Sequence, residues 1–190
     1  EHMVSDLLIL FFALSPLAGF FFGAWGWVLT PFLAFILFPI LDALLPRVEK
    51  RNTSTKKSAS LLLYLYLPYH AFLILCGIYH SSRLSLSTPE FWFSALSVGV
   101  ITGAIGITFA HEWVHKLKPH QRFYGEWLLV WVCYGHYATE HVFGHHKNVG
   151  TREDGATARK NEWLQIYIFR ALVQVWIGAL KIKPGRTLLH

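Results

Sequence analysis

The chain has 190 residues, 54% hydrophobic and 15% charged, with a formal net charge of +6. Soluble domains are roughly a quarter charged, so an ordinary globular domain is excluded and a polytopic membrane protein is expected; the positive balance then reflects basic cytoplasmic loops and calls for no nucleic acid. The 11 histidines equal the 11 acids in number, which points toward metal.

Met3 is the only methionine, so the natural start is expected there, with Glu1 and His2 as additions. Leu7–Gly26 is 20 residues without a charge and no polar cleavage region follows it, so it reads as a first span and not as a leader. Gly23 and Gly26 suit a tight hairpin into a second span, Val28–Leu45. The third and fourth spans are expected at Leu61–Tyr79 and Phe91–Phe109. Pro16, Pro39 and Pro68 inside these stretches are tolerated where neighbouring helices satisfy the freed carbonyls. Cys76 and Cys133 lie in apolar stretches and read as small buried side chains, not as a disulfide.

The loop Arg47–Ser60 carries Arg47, Lys50, Arg51, Lys56 and Lys57 against one acid, Glu49, whereas Ser81–Glu90 has Arg83 as its one basic residue. The positive-inside rule places the first loop in the cytoplasm and the second outside. The fourth span then re-enters the cytoplasm at its C-terminal end, beside His111. Beyond Lys116, Phe123–Val132 is short and fits a helix at the interface. Lys147–Lys160 is a charged loop. Trp163–Leu180 is broken by Gln165, Arg170 and Gln174 and reads as an amphipathic interfacial helix. The expected fold is an all-α integral membrane bundle of about four spans. Residues 1–115 form the transmembrane part, and 116–190 a cytoplasmic or interfacial helical region that binds metal.

Two clusters carry the chemistry. In His111-Glu-Trp-Val-His115 the four-residue spacing puts both imidazoles on one helix face. The fourth span plus this box would be one helix of ~37 Å. Glu140-His141-Val-Phe-Gly-His145-His146 repeats the spacing and adds an adjacent histidine. All-imidazole sets suit iron, zinc or copper, not magnesium or calcium. His-Glu-x-x-His also matches the zinc metalloprotease signature, with Glu112 as its general base. Five imidazoles exceed what one catalytic zinc requires, since such a site keeps three protein ligands and an open position. His70 and His80 read as structural or interfacial. A third reading is a metal-binding fragment without turnover.

A set of short segments appears in order along nearly the whole chain: Pro39-Ile-Leu-Asp42-Ala, the first box with Lys116, Tyr134-Gly-His136, the second box, and Glu153-Asp154-Gly-Ala-Thr-Ala-Arg159. This set resembles the N-terminal half of the membrane-bound alkane 1-monooxygenases, within the integral-membrane non-haem di-iron hydroxylases and desaturases. The resemblance implies that His111, His115, His141, His145 and His146 are iron ligands, with two irons per complete site. It implies hydroxylation of a terminal hydrocarbon C–H by O2, with electrons from rubredoxin, in a bacterial inner membrane with the boxes cytoplasmic. His136 becomes a further candidate ligand. Glu112 and Glu140 become candidates for orienting ligating imidazoles, and Asp42 for a role at the cytoplasmic mouth of the site. Asp154 and Arg159 are expected to fold the loop after the second box, whose basic neighbourhood would suit an acidic electron carrier. Ala34, eight residues before Asp42, would leave the hydrocarbon channel deep. Trp113, Val142, Phe143 and Gly155 depart from the family's usual residues, so another hydrocarbon is an open alternative. The family's downstream His-Tyr-Gly motif and last histidine box, with four expected ligands, do not occur before His190. A homo-oligomer is left open.

Overall fold

The computed structural model describes residues 2–45 and 58–182, which contain helices and turns but no strand. The chain divides into two compact units, Glu1–Gly106 and Ile107–His190. Among the described residues, three helices are long and apolar enough to cross a membrane: Ala24–Leu44, Pro89–Val114 and Leu164–Lys181. Most of the basic loop used for the topology argument lies outside the described residues.

The expected first span is not one helix. It is divided into α1 (His2–Leu14) and α2 (Leu17–Phe22). Pro16 has no N–H to continue the ladder, and the Ser15 N–H turns back to the Phe12 carbonyl at 3.2 Å. Gly23, at φ +61°, then reverses the chain into α3 (Ala24–Leu44). The expected hairpin therefore forms between α2 and α3, and two glycines allow its closeness. A Cβ on Gly26 would lie 2.1 Å from the Ala18 carbonyl oxygen, and one on Gly19 would enter the ring of buried Trp27. Hydroxyl pairs add interhelical hydrogen bonds, as expected where lipid supplies no hydrophobic drive between helices. Ser15 and Thr30 meet at 2.7 Å, and the Ser97 hydroxyl donates to the Trp27 carbonyl.

α3 contains a wide π-turn at Leu33–Leu37, closed by the Phe38 N–H on the Leu33 carbonyl. The turn absorbs one extra residue, so the eight residues from Ala34 to Asp42 cover about two full turns. α4 (Ser58–Ser81), 24 residues long, holds the third expected span. α5 (Pro89–Val114) holds the fourth, widened by a π-turn at Thr102–Ile107.

In the second unit, α6 (Pro119–Trp131) crosses the end of α5. A Cβ on Gly125 would sit 3.0 Å from the Ala110 carbonyl oxygen, so the backbones come close. Ala110, Trp113, Val114, Leu128 and Leu129 form the buried seam. α6 ends in a Schellman arrangement. The Tyr134 N–H donates to the Leu129 carbonyl at 2.8 Å and the Cys133 N–H to the Val130 carbonyl at 3.0 Å, with Cys133 in the left-handed region at φ +57°. Cys133 is thus exposed and Cys76 half-buried, which corrects the expectation that both are buried; both are free thiols.

α7 (His136–Glu140) continues through a π-turn, His141–His145, into α8 (His146–Asn148). The last helix, α9 (Leu164–Lys181), expected at the interface, is by length and composition also long and apolar enough to span. Arg170 is its one charge before Lys181, and that guanidinium is bound back to the preceding loop. Leu164, Phe169, Val173 and Leu180 stand exposed along it.

Candidate metal centre

The second unit gathers both histidine boxes. The end of α5 presents His111, and His115 caps it one turn later, with the two rings 5.1 Å apart. The π-turn supplies the rest. In a plain α-helix a residue five positions on points about 140° away. Here the His146 N–H donates to the His141 carbonyl, an i→i+5 bond that stacks one residue above the other. The ring nitrogens follow: His146 Nε2 lies 3.1 Å and His115 Nε2 3.0 Å from His141 Nε2. His111 completes the group, since His111, His115 and His141 offer nitrogens all within 4.8 Å of one another. His145 stacks on His141 at 5.2 Å between ring centroids.

The spacing fits a shared metal. Two imidazole nitrogens each about 2.1 Å from one ion stand about 3.0 Å apart at a right angle and about 3.4 Å apart at a tetrahedral angle. The observed pairs, at 3.0 and 3.1 Å, are close enough for one ion to be shared between them. The electrostatics also fit. Burial first, then the surrounding His111, His146, His115 and His145, push His141 down to about 3. His115 is lowered by burial and by His111 and His146. Both rings are neutral at neutral pH, with lone pairs available for a metal.

His145 is held from behind. Its Nδ1–H donates to Asp154 Oδ2 at 2.9 Å, a bond that leaves the lone pair on Nε2. Asp154 is buried, and burial alone would raise its pKa. Bonds from Thr157, His145 and the Ala156 N–H outweigh this and keep it below the usual carboxylate range. The sequence reading gave Asp154 a loop-folding role and missed its contact with His145. The signal was the acid eight or nine residues beyond a ligand pair, legible only once the loop is seen to fold back.

The other candidates are placed as follows. Glu112 is exposed and its carboxylate accepts from Lys116 Nζ at 2.8 Å. Glu140 is buried, and its Oε2 has no hydrogen-bond partner among the described residues. Burial, then the charge of Asp154, raises its pKa. Glycines make room for it: a Cβ on Gly144 would lie 2.5 Å from Glu140 Oε1. Glu140 borders a cleft of about 620 Å³ whose lining mixes Phe143, Ile177 and Ile182 with Lys147, Arg152 and Lys181. His136 packs its ring on Tyr134 at 4.7 Å, and its buried Nε2 lacks a hydrogen bond among the described residues. Asp42 is exposed near the end of α3, in the first unit.

Comparison with known proteins gives a consistent picture. Residues 87–189 match the fatty acid desaturase family. Among curated proteins, the chain is 31% identical over 173 residues to alkane 1-monooxygenase 2 of Pseudomonas aeruginosa, covering 86% of this chain and 46% of that protein. It is 28% identical to alkane 1-monooxygenase 1 of Alcanivorax borkumensis (83% and 42% covered). It is also 28% identical to the alkane 1-monooxygenase of Ectopseudomonas oleovorans (78% and 38% covered). The chain spans less than half the length of these relatives.

Proposed function

The chain belongs to the fatty acid desaturase family, and from that premise we propose that it is part of an integral membrane hydroxylase that converts a hydrocarbon C–H to an alcohol with O2 at a histidine-held di-iron centre. The observation that carries this is the convergence of His115, His141 and His146 through their Nε2 atoms, with His111 alongside. The balanced reaction takes hydrocarbon, O2, two electrons and two protons to alcohol and water. When bound, iron would supply the reduction and splitting of O2, chemistry that no side chain performs alone.

The protein's residues hold, orient and shield. His111, His115, His141, His145 and His146 supply imidazole nitrogens, and His136 is the candidate for a sixth. Asp154 fixes the tautomer of His145, and Glu140 is buried next to His141 in the chain. Asp42 is proposed to act at the cytoplasmic mouth. Rubredoxin is the proposed electron donor and the basic loop around Arg159 its docking region; charge complementarity there would speed encounter. We place the boxes on the cytoplasmic face of a bacterial inner membrane.

The pairing of Glu112 with Lys116 supports this reading over a zinc protease, in which Glu112 would have to reach a metal-bound water. Metal analysis of the complete enzyme, together with product analysis after supplying alkane, rubredoxin and its reductase, tests it. Iron near two per enzyme with oxygen-dependent alcohol is the expected result. A single zinc and no alcohol would overturn it.

A further inference from the structure

We propose that Arg170 and Glu162 are positioning residues for the metal centre, acting through the loop that carries Asp154 onto the ring of His145; this rests on the iron reading of the histidine group. Each of the five guanidinium N–H groups of Arg170 has a partner. Nε donates to Glu162 Oε1 at 2.6 Å, and Nη2 to Glu162 Oε2 at 2.7 Å and to the Thr157 carbonyl at 2.9 Å. Nη1 donates to the Gly155 carbonyl at 3.0 Å and to Gln174 Oε1 at 2.8 Å. The carbonyl between these two backbone acceptors, that of Ala156, accepts from the Tyr167 hydroxyl at 2.9 Å. Three consecutive carbonyls of the loop are therefore set by two side chains three residues apart on α9.

Loop geometry passes directly to Asp154. The Ala156 N–H donates to Asp154 Oδ1 at 2.9 Å, and the Thr157 hydroxyl donates to Oδ2, the same oxygen that accepts from His145. The peptide unit whose Gly155 carbonyl Arg170 holds thus turns its Ala156 N–H to the carboxylate, and the next unit, held by Tyr167, turns its Thr157 N–H to the Asp154 main-chain carbonyl at 3.4 Å. Glu162 closes the strap from the other side: its Oε2 accepts from the Arg159 N–H at 2.9 Å, and its side chain is 7% exposed. A single charge inside an apolar helix has a place here because helical side chains lean toward the N-terminus, which carries the guanidinium back to the loop. The geometry is specific to arginine. Lysine has three donors on one atom and cannot meet four acceptor groups in a plane.

The test uses the full chain in detergent micelles, with two readouts. Without metal, nitrogen-15 NMR of the His145 ring reports its tautomer. The wild type is expected to hold the proton on Nδ1. Arg170→Lys and Glu162→Gln should each raise the Nε2–H fraction several-fold while circular dichroism keeps the wild-type helix content. With Fe(II) under anaerobic conditions, the dissociation constant of each variant should rise by about ten-fold, the size typical of losing an outer partner of a ligating histidine. Asp154→Asn should show both effects, and adding Arg170→Lys to it should add little, since both act through one contact. Should Arg170→Lys unfold, Glu162→Gln and Tyr167→Phe are read in the same way. Folded strap variants with the wild-type His145 tautomer would overturn the proposal. An altered tautomer with unchanged Fe(II) affinity would uphold the strap and overturn His145 as an iron ligand.

Discussion

His141 is the residue on which the candidate centre turns, because its Nε2 is the atom that both His115 and His146 approach. His141→Ala should therefore cost more bound iron than alanine at any other box position, with metal content per folded protein as the measurement. His146→Ala should cost less, because His146 is exposed and lies at the edge of the group. Glu162 makes a different prediction, about acid stability. Hydrogen bonds from Arg170 and the Arg159 N–H hold its carboxyl down to about 2, against an ordinary value of 4.5. A depressed carboxyl contributes stability that is full above its unfolded pKa and is lost as pH falls through the folded one. Glu162→Gln should thus flatten the loss of thermal stability between about pH 4.5 and pH 2, read from melting curves in detergent at a series of pH values. A slope identical to that of the wild type would disprove the assignment.

Helix ends and wide turns decide how these residues meet. The Schellman arrangement that ends α6 places a cysteine where glycine is favoured, at φ +57°. The left-handed conformation costs a residue with a Cβ about 1 kcal/mol or more. Cys133→Gly is expected to recover about 1 kcal/mol of this, seen as a higher melting temperature without change in metal content, since the exposed thiol touches no ligand. The opposite outcome is expected in the α2–α3 hairpin. Gly26 faces the Ala18 backbone with no room for a Cβ, so Gly26→Leu should force the helices apart and lower stability by several kcal/mol, as for overpacking against rigid backbone. The π-turn at His141–His145 was not legible from the histidine spacing, because four-residue repeats read equally well as α-helix. It becomes visible through the His146 N–H bonding to the His141 carbonyl, and it explains how His146, five positions on, comes within 3.1 Å of the His141 ring nitrogen.

Across the molecule, apolar surface dominates: Phe21, Trp25, Phe35, Phe72, Phe169 and Leu180 are all more than half exposed, as lipid contact requires. The chain should accordingly stay in the membrane pellet through alkaline carbonate washing and be released by detergent; release by carbonate alone would contradict an integral membrane protein. Composition, the uncharged stretches and the ordered histidine boxes were enough to read the helical membrane class, the family and the residues that gather in the second unit, because hydropathy and ligand chemistry are properties of short segments. The sequence was less informative where two distant segments had to meet. Pro16 and Gly23 are visible in the chain, yet that they split one apolar stretch depends on how α2 folds back onto α3. Arg170 looks like an interruption of an apolar helix until the carbonyls of Gly155 and Thr157 are seen to surround it. Asp154 looks like one more loop acid until the loop returns it to His145. Buried polar groups are placed by partners far along the chain, and those partners exist only after the helices have packed.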